Sequence, residues 1–401
     1  MDRTPGRGAT TADAFLAEHR PWLRTTTLCV ALGRGSRDDL PGKAGAAHLF
    51  EHLVMSARGG GAALTDLVEE RGGTANASSG NELTLYYARV DNDDAPRIAA
   101  ALWDAVEHPL VTEADLAREK SVVVQEIATA RADASDVVQD AFLADLFGGH
   151  PLGLPVAGDL DDIGRFGLAD AEAERAAGLP RHRVIMVGGA EPDRVRDALP
   201  DSALVCAGAP RTPSPPAPLS TAPDGTRWPQ DEDFAWVVVG GRAVPAQHPD
   251  QAAYAVLGTL LGASPASSLY RELRDVAGLA YTFQAWSSHY SDAGAWRVLM
   301  GVETGNAPKA VGIVEGLLHR IATSGPTAAE HDIAVRQSAG QCQRDAEDPW
   351  QLAVDIAVRG DVGAHPWSPE AERDALRRVT PDQVRAAAAH VADSLTVTVR
   401  A

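Results

Sequence analysis

Two hydrophobic rhythms alternate along this chain. Short runs rich in β-branched and apolar residues occur at 25–33 (TTTLCVALG), 83–90, 183–189 (RVIMVGG), 235–240 (AWVVVG), 280–288, 294–302 and 394–399, and these read as strands. Apolar positions recurring every three or four residues predict helices over 45–56, 62–71, 94–107, 113–131, 138–147, 191–199, 250–261, 267–275, 308–324 and 327–345. Gly72-Gly73 stops the second of these and Gly278 follows the 267–275 helix. Turn chemistry fills 34–42, from Arg34-Gly35-Ser36 to Pro41-Gly42. Residues 1–20 read as a loose or partly helical arm.

Seven prolines between 207 and 230 break the rhythm and mark a stiff linker. Strands and helices follow one another similarly on both sides of it. The expected fold class is therefore α+β, with two similar domains at 1–206 and 231–401. A length of 401 residues supports more than one core.

Charge narrows the partners. Thirty-six Lys+Arg against 55 Asp+Glu leave a net charge of −19. Nucleic acid is thereby excluded as an expected partner, while basic or neutral peptides suit the field. Cys29, Cys206 and Cys342 are far apart and form no CxxC pair, which excludes a disulfide framework and a cysteine-built metal site. No run of 18 apolar residues occurs, and residues 1–11 lack the apolar core of a signal peptide, so no membrane association is expected. Lysine occurs only at 43, 120 and 309, a bias toward Arg that points to high-GC bacterial coding. The expected location is the cytoplasm of a bacterium.

The pentad His48-Leu49-Phe50-Glu51-His52 carries the chemistry. At about 100° per residue, His48 and His52 stand about 40° apart and Glu51 about 60° to the other side of His48, so all three share one helix face. Two imidazoles one turn apart can grip Zn²⁺, and the carboxylate beside them can deprotonate a water. The order inverts the HExxH zinc helix, and chance supplies roughly 0.05 such pentads in a chain of this composition. The alternative is a satisfied polar cluster. Ala46, Ala47, Leu49, Phe50, Leu53, Val54 and Met55 make the helix apolar nearly all round, and buried histidines and an acid need partners that a metal supplies.

A third ligand is expected on the 113–131 helix. Glu119 and Glu126 are seven residues apart and fall within about 20° of each other. Glu126 follows Val122, Val123 and Val124, the most apolar stretch, whereas Glu119 lies nearer the polar start. Glu126 is read as the ligand and Glu119 as a carboxylate behind it, bonding a ligand imidazole. The alternative, two solvated helix acids, would be favoured without the pentad.

These residues resemble the pitrilysin family of metallopeptidases, peptidase family M16, which includes insulin-degrading enzyme and the mitochondrial processing peptidase. The resemblance runs from Gly35-Ser36-Arg37 through Gly45 and the pentad, through 73–89 (GTANASSGNELTLYYAR) and 119–127 (EKSVVVQEI), to 267–281 (SSLYRELRDVAGLAY). It implies two α/β-sandwich domains of the LuxS/MPP-like metallohydrolase fold, forming half of a peptidase clamshell. At this length it implies a short, dimeric member, either a homodimer or a heterodimer with a related subunit. The implied activity is zinc-dependent hydrolysis of peptides or small unfolded polypeptides. Glu51 is then the general base, Asn76 and Ala77 lie on a substrate-binding edge strand, and Arg274 with Tyr281 reaches the substrate from the opposite half. Two other readings compete: a leader-peptide protease of a bacterial peptide pathway, and a non-catalytic subunit. The intact ligand set speaks against the last. Three departures leave substrate preference open. The family's N-terminal strand is not recognisable in residues 1–24, Met55-Ser56-Ala57 replaces an aromatic-Lys-Gly pattern, and no aromatic follows Asn76.

Overall fold

The computed structural model describes residues 12–56, 63–206, 208, 211–214, 216, 233–262, 265–362 and 367–400. Expectations placed on residues 1–11, on Ala57 and on most of the 207–230 linker lie outside them. In chain order the elements used below are β1 (Phe15–His19), β2 (Thr25–Leu32), α1 (Ala46–Ser56), β3 (Thr74–Ser79), β4 (Thr84–Asp91), α2 (Ala95–Glu107), α3 (Glu113–Ala132), α4 (Ala134–Phe147), β5 (His182–Gly188), β6 (Phe234–Ala243), α5 (Gln251–Gly262), β7 (Ala280–His289), β8 (Gly294–Glu303), α6 (Ala307–Ser324), α7 (Ala328–Glu347), α8 (Pro349–Val362), α9 (Pro381–Ala392) and β9 (Thr396–Arg400).

The chain forms two compact units. One takes Met1–Ile127, Pro155–Arg211 and Asp348–Asp361; the other takes Ala128–Leu154, Thr212–Glu347 and Val362–Ala401. The expected division at 207–230 follows the chain, whereas each compact unit also takes in a segment from the far side of that stretch. The reason lies in the sheets, whose strands are apolar on both faces and need two layers of cover.

In the first unit five strands run in the order β1-β5-β2-β4-β3. Only β1 and β5 are parallel; the other pairs are antiparallel. Leu28, Val30 and Leu32 of β2, Tyr86 and Ala88 of β4, and Val184 and Met186 of β5 point to one core with α1, α2 and α3. The intervening residues Cys29, Leu85, Ile185 and Val187 are also buried, on the other face. Tyr87 on that face stacks on Trp350 of α8 at 3.6 Å between ring centroids. Burial pushes the Cys29 thiol up to about 12.

The second unit has four antiparallel strands in the order β9-β6-β8-β7. Trp296, Val298 and Met300 of β8 pack with α5, α6 and α9. Val238 and Ala295, on the other face, pack against Val138, Phe142 and Leu146 of α4. Thr398 donates to Asp145 at 2.8 Å and Arg242 to the Leu146 carbonyl at 2.9 Å, which fixes α4 on that face. Among the tryptophans of this half, Trp296 is fully buried, while Trp236 and Trp286 are half-buried.

The arm reading of residues 1–20 is corrected here. Phe15–His19 is a strand, paired residue for residue with Val184–Gly188. Its five residues are too short for a period-two signal, and a strand already in place supplies its order.

Candidate metal centre

Helix α1 begins at a clasp of two glycines. Gly45 and Gly158 have φ of +91° and +89°, and a Cβ on Gly158 would lie 2.3 Å from the Gly45 Cα. Only glycine permits both that backbone conformation and that approach. The crossing carries the Ala157 carbonyl to 3.5 Å from His48 Nδ1. Asp39 caps the same helix end, accepting the Gly45 N–H at 2.7 Å and the Ala47 N–H at 3.2 Å. Burial pushes the Asp39 carboxyl up to about 7 despite these two bonds, and the Glu174 charge adds to it.

Ala46, Ala47, Leu49, Phe50, Leu53 and Val54 are buried. Burying each of the larger side chains contributes about 1.5–3 kcal/mol, so the core sets the rotation of the helix. His48, Glu51, His52 and Met55 are left as a half-buried stripe at i, i+3, i+4 and i+7. The His48 and His52 rings meet edge-on with centroids 4.9 Å apart. Burial first, and the neighbouring His52 second, hold the His48 imidazole below its usual range. Neutral imidazole is the form that ligates a metal.

Helix α3 brings a carboxylate to the two imidazoles. Glu126 Oε2 lies 3.1 Å from His52 Nε2 and 3.6 Å from His48 Nε2. One ligand atom from each of the three residues lies within 4.8 Å of the other two. Donors about 2.1 Å from a common tetrahedral ion stand roughly 3.4 Å apart, so two nitrogens and an oxygen at these separations fit Zn²⁺. The far side of His52 is also held. Its Nδ1 lies 3.4 Å from Glu119 Oε2, and Arg118 donates to Glu119 Oε1 at 3.0 Å. A carboxylate on the second nitrogen of a ligand imidazole fixes its tautomer and raises its basicity.

The burial expected for these two acids is reversed. Glu119 is buried and Glu126 is half exposed, at 8% and 50% side-chain exposure. Among the three valines only Val123 is buried; Val122 and Val124 face solvent.

Strand β3 is the open edge of its sheet. Ala75, Ala77 and Ser79 are half-buried on the α1 side; Thr74, Asn76 and Ser78 are exposed. The Gly80 N–H bonds back to the Leu83 carbonyl, and antiparallel parity then turns the backbone groups of Ser79 and Ala77 outward. The outward Ala77 N–H is met by the Asn76 side-chain oxygen at 2.8 Å. Thus Asn76 and Ala77 do lie on an edge strand. Ser79, at its end, donates to Glu51 Oε2.

Arg274 and Tyr281 belong to the second unit. Arg274 lies on a π-helical turn, Tyr270–Val276, with its guanidinium 4.8 Å from the Tyr270 ring centre. Such wide turns are rare and concentrate at functional sites. Tyr281 lies in β7, and its side chain is outside the described structure.

Sequence comparison identifies the family. The family model described as Insulinase (Peptidase family M16) matches residues 14–160, and the Peptidase M16 inactive domain matches 184–338. The chain belongs to peptidase family M16. An uncharacterised zinc protease of Streptomyces coelicolor is 29% identical over 389 residues, covering 94% of this chain and 84% of its own. The β subunit of the human mitochondrial-processing peptidase is 26% identical over 320 residues, covering 75% and 65%. Among solved structures, a Helicobacter pylori protease superposes with a TM-score of 0.85 at 19% identity, covering 98% of this chain and 99% of its own. An M16-like peptidase of Alicyclobacillus acidocaldarius gives 0.79 at 17%, covering 97% of each. The α+β fold is thus that of M16 peptidases. No helix among the described residues of this M16 chain is long and apolar enough to cross a membrane.

Sequence reasoning missed three supports of the site. The Ala157 carbonyl is a backbone group and leaves no residue signature. The Gly45–Gly158 clasp joins glycines 113 positions apart. Ser79 is a small polar residue whose signal, alternation on an edge strand, is visible only once β3 is known.

Proposed function

We propose that this chain is a zinc-dependent endopeptidase acting on peptides or small unfolded polypeptides, with Glu51 as general base. The observation that carries the reading is the convergence of His48, His52 and Glu126 beside Glu51 on one helix face. His48, His52 and Glu126 would hold the ion. Zinc in that position would supply Lewis acidity toward the scissile carbonyl and lower the pKa of water.

The remaining steps belong to the protein. An extended substrate pairs with the outward backbone groups of β3 at Ala77, displacing the Asn76 amide. Glu51 takes a proton from water as its oxygen adds to the carbonyl carbon. The C–N bond then breaks, and Glu51 returns the proton to the departing amine nitrogen. Arg274 and Tyr281 donate to the substrate carbonyls and steady the developing oxyanion. They do so from a second subunit, a further copy of this chain or a related M16 chain, which closes the chamber. A net charge of −19 favours neutral and basic substrates.

The test is cleavage of a mixed peptide library by the purified chain, read by mass spectrometry, with Glu51→Gln as control. Loss of at least about 10³-fold in the variant, with zinc content unchanged, is the expected result. Equal cleavage by both proteins would overturn the reading.

A further inference from the structure

We infer that Ser79 is a positioning residue for Glu51, and that it couples the substrate-binding strand to the base. The inference rests on the peptidase reading above. Its geometry is independent of that reading.

Glu51 projects from the middle of α1 and Ser79 closes β3. The Ser79 hydroxyl donates to Glu51 Oε2 and is the one side chain among the described residues that hydrogen-bonds this carboxylate. A carboxylate held at one oxygen cannot rotate freely about its last bond, and its other oxygen keeps a fixed direction. A base that must face both a water and a departing amine gains from such restraint, because small misplacements are costly in rate.

An edge strand is ordinarily a poor anchor, since one side of it is unpaired. Here the end that carries Ser79 is held from a second direction. The Ser36 N–H bonds the Gly80 carbonyl and the Arg37 N–H bonds the Asn81 carbonyl, each at 3.0 Å. The buried Arg37 pairs with Glu82 at 2.5 Å, and Arg211 donates to the Glu82 carbonyl at 3.3 Å. Gly35 lies so close that a Cβ there would stand 2.3 Å from the Gly80 oxygen. The turn after Ser79 is therefore fixed, while the strand before it stays open. Backbone pairing along β3 and the hydroxyl on Glu51 thus come from one rigid piece of chain. Ser79 touches neither substrate nor water in this scheme; it acts through Glu51.

Three substitutions test this in the full chain loaded with zinc. Ser79→Ala should lower kcat about 10–100-fold while KM stays within about threefold and zinc per chain is unchanged. Ser79→Thr keeps the hydroxyl and should restore kcat to within about threefold of wild type. Ser79→Cys is nearly isosteric but a weak donor and should fall between them. If kcat of Ser79→Ala holds within twofold, or KM alone rises, or Thr fails to rescue, the inference is overturned. Crystal structures of wild type and Ser79→Ala provide a readout apart from activity. The Glu51 carboxylate should occupy one orientation in the first and several in the second; a single shared orientation overturns the inference. Should wild type and Glu51→Gln both fail to cleave peptides, the peptidase reading falls, and the structures still decide the role of Ser79.

Discussion

Glu119 and Glu126 are two turns apart on α3 but meet different surroundings, and substitutions should separate holding a metal from tuning it. Glu126→Gln weakens an anionic ligand and should cost most of the bound zinc. Glu119→Gln leaves all three ligands in place and should weaken zinc about 10–100-fold, by analogy with other carboxylates behind ligand histidines. Competition against a chromophoric chelator measures both, and equal losses would contradict the assignment. The sequence made the pair legible but not their burial. Three consecutive valines suggested that Glu126 was the deeper residue. A helix buries by phase, however, and the buried stripe is Leu116, Glu119, Val123 and Ile127. These are i, i+3, i+7 and i+11, which puts Glu119 inside; Glu126 lies beside the stripe, where a half-exposed carboxylate can reach the two imidazoles.

At the scale of elements, the cap of α1 links stability to pH. The Asp39 carboxyl is pushed up to about 7 from an ordinary 3.8, chiefly by burial. Its contribution is therefore fully present below about pH 4, where even the unfolded chain is protonated, and is lost as pH rises through about 7. Asn resembles the protonated carboxyl in shape and hydrogen bonding. Asp39→Asn should exceed wild type in denaturant midpoint modestly at pH 5.5, midway through that window, and by more at pH 8.5, measured on metal-free protein. A variant less stable than wild type at pH 8.5 would show that the two backbone bonds outweigh burial. Elements themselves were unevenly legible. Helix α1 declared itself through its apolar residues, and β2 and β5 through theirs. Strand β3 (TANASS) alternates only the small Ala75 and Ala77 with polar residues, a weak signal, because an edge strand lying over a polar stripe needs only small residues there. It was placed by resemblance alone. The apolar periodicity predicts no helix after Glu347, although Thr380 and Gln383 form a capping box at the start of α9.

At the scale of the whole chain, the repeated order of strands and helices announced two α+β halves but not their membership. Helices α4 and α8 are apolar enough to be recognised as packing elements. Nothing local specifies which sheet receives them, since that is a matter of which face is still uncovered. The same limit applies to oligomerisation, and there an experiment can decide. Glu51 and Arg274 occupy different units of one chain. If a second copy supplies Arg274 to the site around Glu51, two disabled variants should rescue one another. Glu51→Gln and Arg274→Ala would each be nearly inactive alone. Mixed in equal amounts after dissociation and reassociation, half of the dimers pair one variant with the other, and each such dimer has one intact site of two. Recovery of about a quarter of wild-type activity is then expected. Absence of recovery, with dimers shown to exchange, would mean that Arg274 serves the site of its own chain or that a different M16 subunit completes it. Adding such a subunit would then restore activity to Arg274→Ala but not to Glu51→Gln, because the proposed reading makes Glu51 of this chain the base.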